Sequence, residues 1–397
     1  MKNKEDKMKY DFETLVNRRD TGSLKWGGMY EQIPEAGDNV VPLSVADMEL
    51  KNPPAIIEGL KDYLDNIILG YTGETENYYK SVISWMERRH GFSPKKEWFV
   101  MTAGVVPAIK EMVGAFTKDG DSVLMLTPVY YPFYSSVEAN GRTVLGSELI
   151  LNGTEYKIDF DDFAEKAARP ETTLCILSSP HNPIGRIWTK EELLKLCEIC
   201  LENNVFIISD EIHFDLIMPG FEHVSMGTFE EKYLNNCAIC TAPSKTFNLA
   251  GLQTSNIFIP NEEYRNKMTS ARGYFSLNIF GYKACELAYD KCEEWLDELL
   301  LFLDGNRKFV EEFVAENMPE VKVHRLQGTY LMWLDFRAWG MSKEEQEDFM
   351  VHKAEAIFDE GYVFGEGGIG FERINIACPK FVLEQTLERI VKAKKEL

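Results

Sequence analysis

Short runs dominated by Val, Ile, Leu and aromatic residues recur through the middle of the chain: Trp98–Met101, Ser122–Leu126, Leu174–Leu177, Val205–Ile208, Cys237–Cys240 and Asn256–Ile259. None alternates apolar with polar residues, so each predicts a strand covered on both faces. Several are separated by amphipathic stretches. In Lys190–Asn203 the apolar residues recur at spacings of three and four, the period of a helix with one buried face. Strands spaced by helices predict a mostly parallel sheet with helices on both sides. Ligands of such sheets bind beyond the carboxyl ends of the strands. The polar segments Thr102–Gly104, Ser178–Pro180, Ser209–Asp210 and Ser244–Lys245 all follow predicted strands, so one crevice is expected to collect them.

The pattern changes near Leu277. A long helical stretch runs to Asn317, and Val321–His324, Tyr330–Phe336 and Phe371–Ile376 then alternate apolar and polar residues as half-exposed strands do. A second, smaller α+β domain is the expected result. The closing helix from Val382 carries Lys392, Lys394 and Lys395 in its last turns, which complements the negative end of a helix dipole without any ligand. No repeat, low-complexity segment or Pro/Gly/Ser-rich linker interrupts the chain.

Composition narrows the function. The chain has 397 residues, 45% of them hydrophobic and 12% aromatic, enough for sizeable cores. Its formal charge of -21, from 43 Lys+Arg against 64 Asp+Glu, repels phosphate backbones and argues against nucleic acid or an anionic membrane as partner. No apolar run approaches the roughly 18 residues of a membrane span. The charged start Met1–Lys7 is followed by no apolar leader-like region, and a cytoplasmic protein is expected. Eight cysteines include the pairs Cys197/Cys200 and Cys237/Cys240. The first pair lies in a predicted helix. The second lies in a predicted strand, where residues three apart point to opposite faces. Buried free thiols are expected, with no metal.

The chemistry centres on Thr241–Asn248, where Lys245 sits between two hydroxyl residues just after a predicted strand, and on Asp210, which follows the strand Val205–Ile208. A lysine that forms a Schiff base, paired with an aspartate for a pyridinium nitrogen, is the arrangement of a pyridoxal 5'-phosphate (PLP) enzyme. Thr102–Pro107 opens an amphipathic helix running to about Phe116. Gly104 permits close backbone approach, Pro107 suits the first turn, and the free amides there form a phosphate site. Tyr130 follows another strand and is placed against the cofactor ring; Asn182, which also begins a turn, has an amide that can donate to the phenolate oxygen. His181 and His213 receive no proton-transfer role, since histidines beside polar loops are more often hydrogen-bonded structural residues.

Seven ordered segments, Ser23–Trp26, Ser44–Met48, His181–Trp188, Ser209–His213, Pro243–Leu252, Gly328–Leu331 and Phe371–Pro379, resemble the fold-type I PLP-dependent enzymes of the class I/II aminotransferase superfamily. The resemblance is strongest to the branch of cystathionine β-lyases and related C-S lyases, and it covers nearly the whole chain. It implies an α/β fold with a large domain, built on a mostly parallel seven-stranded sheet covered by helices, plus a smaller α+β domain. With the hydrophobic pattern it sets an N-terminal segment 1–45 belonging to the small domain, a large PLP-binding domain 46–285 and a C-terminal small domain 286–397.

For the site, the resemblance implies a Schiff base on Lys245, Asp210 at the pyridine nitrogen, Asn182 at the phenolate, Tyr130 on the ring, and Gly104, Val105 and Ser244 at the phosphate. Arg373 is implied for the substrate carboxylate, with Asn182, Trp26 and Asp47 around the amino-acid substrate. A homodimer is implied too, Tyr71 reaching the partner's phosphate. The implied reaction is α,β-elimination of cystathionine or cysteine S-conjugates. An aminotransferase would share all these residues, and a PLP-binding regulator acting through a partner protein is the non-enzymatic alternative. Two positions depart from the branch: Gly27-Gly28 follows Trp26 where an acidic residue is common, and Ala242 stands three before Lys245 in place of a hydroxyl residue.

Overall fold

The computed structural model describes residues 8–272 and 275–397. Its centre is a seven-stranded sheet in the order Phe99–Thr102, Ser255–Phe258, Cys237–Thr241, Phe206–Asp210, Thr172–Ser178, Ser122–Thr127, Thr143–Glu148. The last five strands in that order run parallel; Ser255–Phe258 is antiparallel to both its neighbours. The mostly parallel sheet expected from unbroken apolar runs is therefore present. Buried apolar residues form one cluster on each face, and Cys237 belongs to one cluster while Cys240 belongs to the other, as the pleat requires. All eight cysteines are buried and free. The edge strand Thr143–Glu148 is only partly covered, and its short, glycine-containing run gave no apolar signal.

Helix boundaries follow local chemistry. Lys190–Glu202 starts at a capping box in which Thr189 and Glu192 satisfy each other's backbone amides. The long helical stretch after Leu277 resolves into Ile279–Lys291 and Glu293–Asn317. Leu24–Gln32, which holds the departing pair Gly27-Gly28, is a helix capped by Ser23. A side chain at Gly27 or Gly28 would meet nothing within 4 Å, so the glycines create no break.

The second sheet is antiparallel, in the order Lys322–Val323, Leu331–Asp335, Phe371–Asn375, Asp359–Glu360. The expectation of half-exposed strands fails here: Leu331–Asp335 and Phe371–Asn375 are buried at every residue. Trp333 and Phe371 stack with ring centroids 5.0 Å apart. The alternating polar residues that looked solvent-facing are internal. Arg373 and Asn375 share one face of their strand, while Glu372 on the opposite face accepts from Gln346 at 2.7 Å. The N-terminal stretch joins this sheet's surroundings through Leu43, whose amide donates to Ile357 O and whose carbonyl accepts from Asn375 N, both at 2.8 Å.

Candidate active site

The carboxyl ends of the parallel strands open into a cleft of about 730 Å³ lined by Gly104, Tyr130, Asn182, Asp210, Ser244 and Lys245, among others. Lys245 lies in the four-residue helix Pro243–Thr246, directly after the strand Cys237–Thr241. Its Nζ donates to Ala46 O at 2.8 Å. Burial pulls the amine down to about 8, against the opposing pull of Asp47, Asp210 and Asp359, so a minor but appreciable fraction is neutral near physiological pH. Asp210 ends the neighbouring strand and is buried. Burial pushes its carboxyl up to about 7 although Ile212 N–H donates to it at 3.1 Å and Lys245 attracts its charge. A carboxyl raised this far favours a cationic partner placed beside it.

Asn182 is oriented by the strand end preceding it: its N–H donates to Ser178 Oγ at 3.2 Å. Tyr130 is half-buried, and burial raises its phenol. Gly104 precedes the helix Val105–Phe116, whose first amides have no acceptor within the helix and face a cleft lined also by Val105 and Val106. Ser244 lies beside them. A phosphorylated aldehyde with a basic aromatic nitrogen fits this donor set: amine for aldehyde, buried carboxylate for nitrogen, amides and hydroxyl for phosphate.

The second sheet supplies the opposite wall. Arg373, 1% exposed, donates from Nη1 to Asn182 Oδ1 at 2.8 Å and from Nη2 to Asp359 Oδ2 at 2.5 Å. Its guanidinium carbon lies 4.7 Å from the ring centre of Phe364. Nε is buried and has no partner among the described residues, so one guanidinium N–H is uncommitted. Asn375, two residues along, donates to Val45 O and Asp47 O at 2.8 and 2.9 Å. Between them, Val45 holds φ at 55°, a left-handed backbone costing a β-branched residue about 1–3 kcal/mol. Asn248 clamps Met48 at both its amide (3.1 Å) and carbonyl (3.0 Å). The stretch Val45–Met48, whose Ala46 carbonyl holds Lys245, is thereby tied to both walls.

Two sequence-derived positions fall elsewhere. Trp26 does not line the cleft: it is 3% exposed, and its indole N–H donates to Glu49 Oε2 at 3.0 Å. Glu49 also pairs with Lys25 and Arg18, both at 3.1 Å, so Trp26 completes a buried charge cluster. Tyr71 is fully exposed and lines a separate recess with Leu69 and Phe275; within one chain it is not brought to the cleft. Asp47 pairs with Arg18 at 2.7 Å and acts on Lys245 through its charge. His181 is buried with Nε2 2.8 Å from Pro128 O, a structural place.

The structure adds Gln253 and Ala46, which line the cleft, and Asp359. His213 lines the cleft, and burial followed by the charges of Lys245 and Arg373 holds its imidazole well below the usual range. Asp359 reaches Arg373 because strand register pairs the two, and a two-residue strand leaves no trace in sequence.

An amine and a carboxylate on adjacent strand ends, an amide cradle and an arginine fork facing them define an amino-acid-transforming site built around a phosphorylated aldehyde. The chain belongs to the aminotransferase class I and II family, whose model matches residues 38–390. It is 41% identical over 383 residues to the cystathionine beta-lyase PatB of Bacillus subtilis, covering 96% of this chain and 98% of that protein. It is similar to the crystal structure of cystalysin from Treponema denticola, which contains a pyridoxal 5'-phosphate cofactor: TM-score 0.96, 48% identity, 98% and 100% coverage. The PLP-bound C-S lyase of Staphylococcus hominis, in complex with L-cycloserine, matches with TM-score 0.90 and 32% identity over 98% of this chain and 99% of that one.

Proposed function

We propose that this protein is a PLP-dependent C-S lyase that cleaves the Cβ–S bond of cystathionine or a cysteine S-conjugate, with one water yielding pyruvate, ammonia and a thiol. The observation that carries the reading is a cleft lined by Lys245, Asp210 and Asn182, with Arg373 bonded to Asn182 behind it, in a chain similar throughout its length to cystathionine beta-lyase PatB. When bound, PLP supplies an aromatic ring that accepts the electron pair released at the substrate's α-carbon.

The chain's residues do the rest. Lys245 Nζ holds the cofactor covalently between turnovers and removes the α-proton during them. Asp210 keeps a proton on the pyridine nitrogen. The amides of Gly104 and Val105, with Ser244, hold the phosphate, Tyr130 packs against the ring, and Asn182 donates to the phenolate oxygen while fixing Arg373. Arg373 takes the α-carboxylate, which orients the Cα–H bond toward Lys245. Asp47 contributes charge at the substrate side.

We further assign the segments 1–45 and 286–397 to a small domain and 46–285 to a large one. The exposed Ile68, Leu69 and Tyr71 support a homodimer in which Tyr71 serves the partner's phosphate site. Among the described residues no helix is long and apolar enough to cross a membrane, and eight free buried thiols suit a reducing cytoplasm.

The deciding experiment supplies purified holoenzyme with L-cystathionine and no 2-oxo acid. Many equivalents of pyruvate per site are expected. If no pyruvate appears and instead one equivalent of the 2-oxo acid of cystathionine forms, its C–S bond intact, until 2-oxoglutarate is added, the enzyme is an aminotransferase.

A further inference from the structure

The arginine expected to receive the substrate carboxylate already faces a carboxylate. Asp359 Oδ2 accepts from Arg373 Nη2 at 2.5 Å and from Val45 N–H at 2.8 Å. The cross-strand register Asp359↔Arg373 sets the two residues side by side, and the Asp359 carboxylate is held there by both donors. It is 9% exposed, where water screens it weakly. The charge of Arg373 is therefore matched before any ligand binds, and an incoming α-carboxylate meets a neutral ion pair in place of a free cation.

The surroundings add no spare positive charge on this side. Asp47, Asp210 and Asp359 all act on Lys245 as negative charges, and Arg373 is the cation acting on it. Arg18, a further guanidinium beside Asp47, is committed to Asp47 and Glu49. His213, also on the cleft wall, is held neutral by burial and by Lys245 and Arg373. Once one carboxylate is held by Arg373, a second negative charge on the substrate's β-substituent finds Asp359 and Asp47 and, among the described residues named here, no unpaired cation.

We propose that Asp359 is a specificity-determining residue that restricts this site to amino acids whose β-substituent carries no net negative charge, such as neutral or zwitterionic S-conjugates, and excludes dicarboxylic amino and oxo acids. The inference rests on the assignment of Arg373 to the α-carboxylate. It also gives a physical reason for a poor aminotransferase, since dicarboxylic oxo acids are the excluded class.

The test uses holoenzyme and two nearly isosteric amino acids that lack a sulfur leaving group, L-asparagine and L-aspartate, with binding measured by calorimetry. Wild type is expected to bind L-asparagine at least about ten-fold more tightly than L-aspartate, a preference of the size one weakly screened charge produces. Asp359→Asn keeps an oxygen that accepts from Arg373 and Val45 and removes the charge; it should tighten both ligands and bring the ratio to within about three-fold. Asp359→Ala, which also removes the support of Arg373, should weaken both ligands. An unchanged ratio in Asp359→Asn, or equal affinities in wild type, overturns the proposal. Pyruvate release from L-cystathionine is measured separately, so failure of the lyase reading is distinguishable from failure of this one.

Discussion

The two walls of the cleft present their polar residues by opposite devices. On the large-sheet side, Asp210 ends one parallel strand and the Lys245 helix follows another, both strands buried along their whole length, so the polar residue is an end effect of a buried run. On the facing wall, Arg373 and Asn375 occupy alternate positions inside a strand, a pattern that normally means solvent. The first wall gains its reactivity from desolvation of single groups. The second gains orientation from paired groups: Arg373 with Asp359 and Asn182, Asn375 with the Val45–Asp47 backbone.

If that division holds, the walls fail differently. Lys245→Ala should abolish turnover and covalent cofactor retention while far-UV circular dichroism stays native; activity persisting within ten-fold of wild type, a small loss for a nucleophile and base combined, would break the comparison at its strongest point. Arg373→Ala comes next. Losing a charge-assisted fork should cost about 1.5–3 kcal/mol of amino-acid binding with cofactor retention unchanged, read by KM and by cofactor absorbance after gel filtration. Release of cofactor with normal KM would place Arg373 on the wrong partner.

A third test uses pH on the cofactor-free protein. Asp210 sits at about 7 when folded against an ordinary value of 3.8, so the folded state binds this proton more tightly than the unfolded chain. The resulting stability is full below about pH 4 and is lost as pH rises through 7. Wild type should therefore lose on the order of 1–3 kcal/mol more than Asp210→Asn between pH 5 and 7 in urea unfolding; parallel curves would mean that Asp210 is not desolvated. Trp26→Phe should have the smallest effect. It removes one hydrogen bond to buried Glu49 and should cost about 1–3 kcal/mol of stability with KM for L-cystathionine unchanged. A raised KM at unchanged stability would return Trp26 to the substrate.

These contrasts also explain what the sequence made legible. Lys245, Asp210, Gly104 and Asn182 were readable because each follows a hydrophobic run that only a buried parallel strand explains, and the sheet rule brings such ends together. Arg373 was readable as part of an ordered motif, but the burial of its strand was not: polar alternation in Phe371–Asn375 carries the same pattern whether the facing surface is water or a polar cleft. Asp359 depends on the register of a two-residue strand, Trp26 on a charge cluster assembled from Arg18, Lys25 and Glu49, and the edge strand Thr143–Glu148 on pairing with Ser122–Thr127. Each is decided by a neighbour distant in sequence or by backbone pairing, and neither is encoded in local composition.

The assignment of Lys245 carries the whole account, since Asp210, the amide cradle and Arg373 acquire their roles relative to its amine. Borohydride reduction of holoenzyme followed by peptide mapping tests it directly. The account predicts stable cofactor mass on the single peptide containing Lys245 and none in Lys245→Ala. Labelling of any other lysine would contradict it.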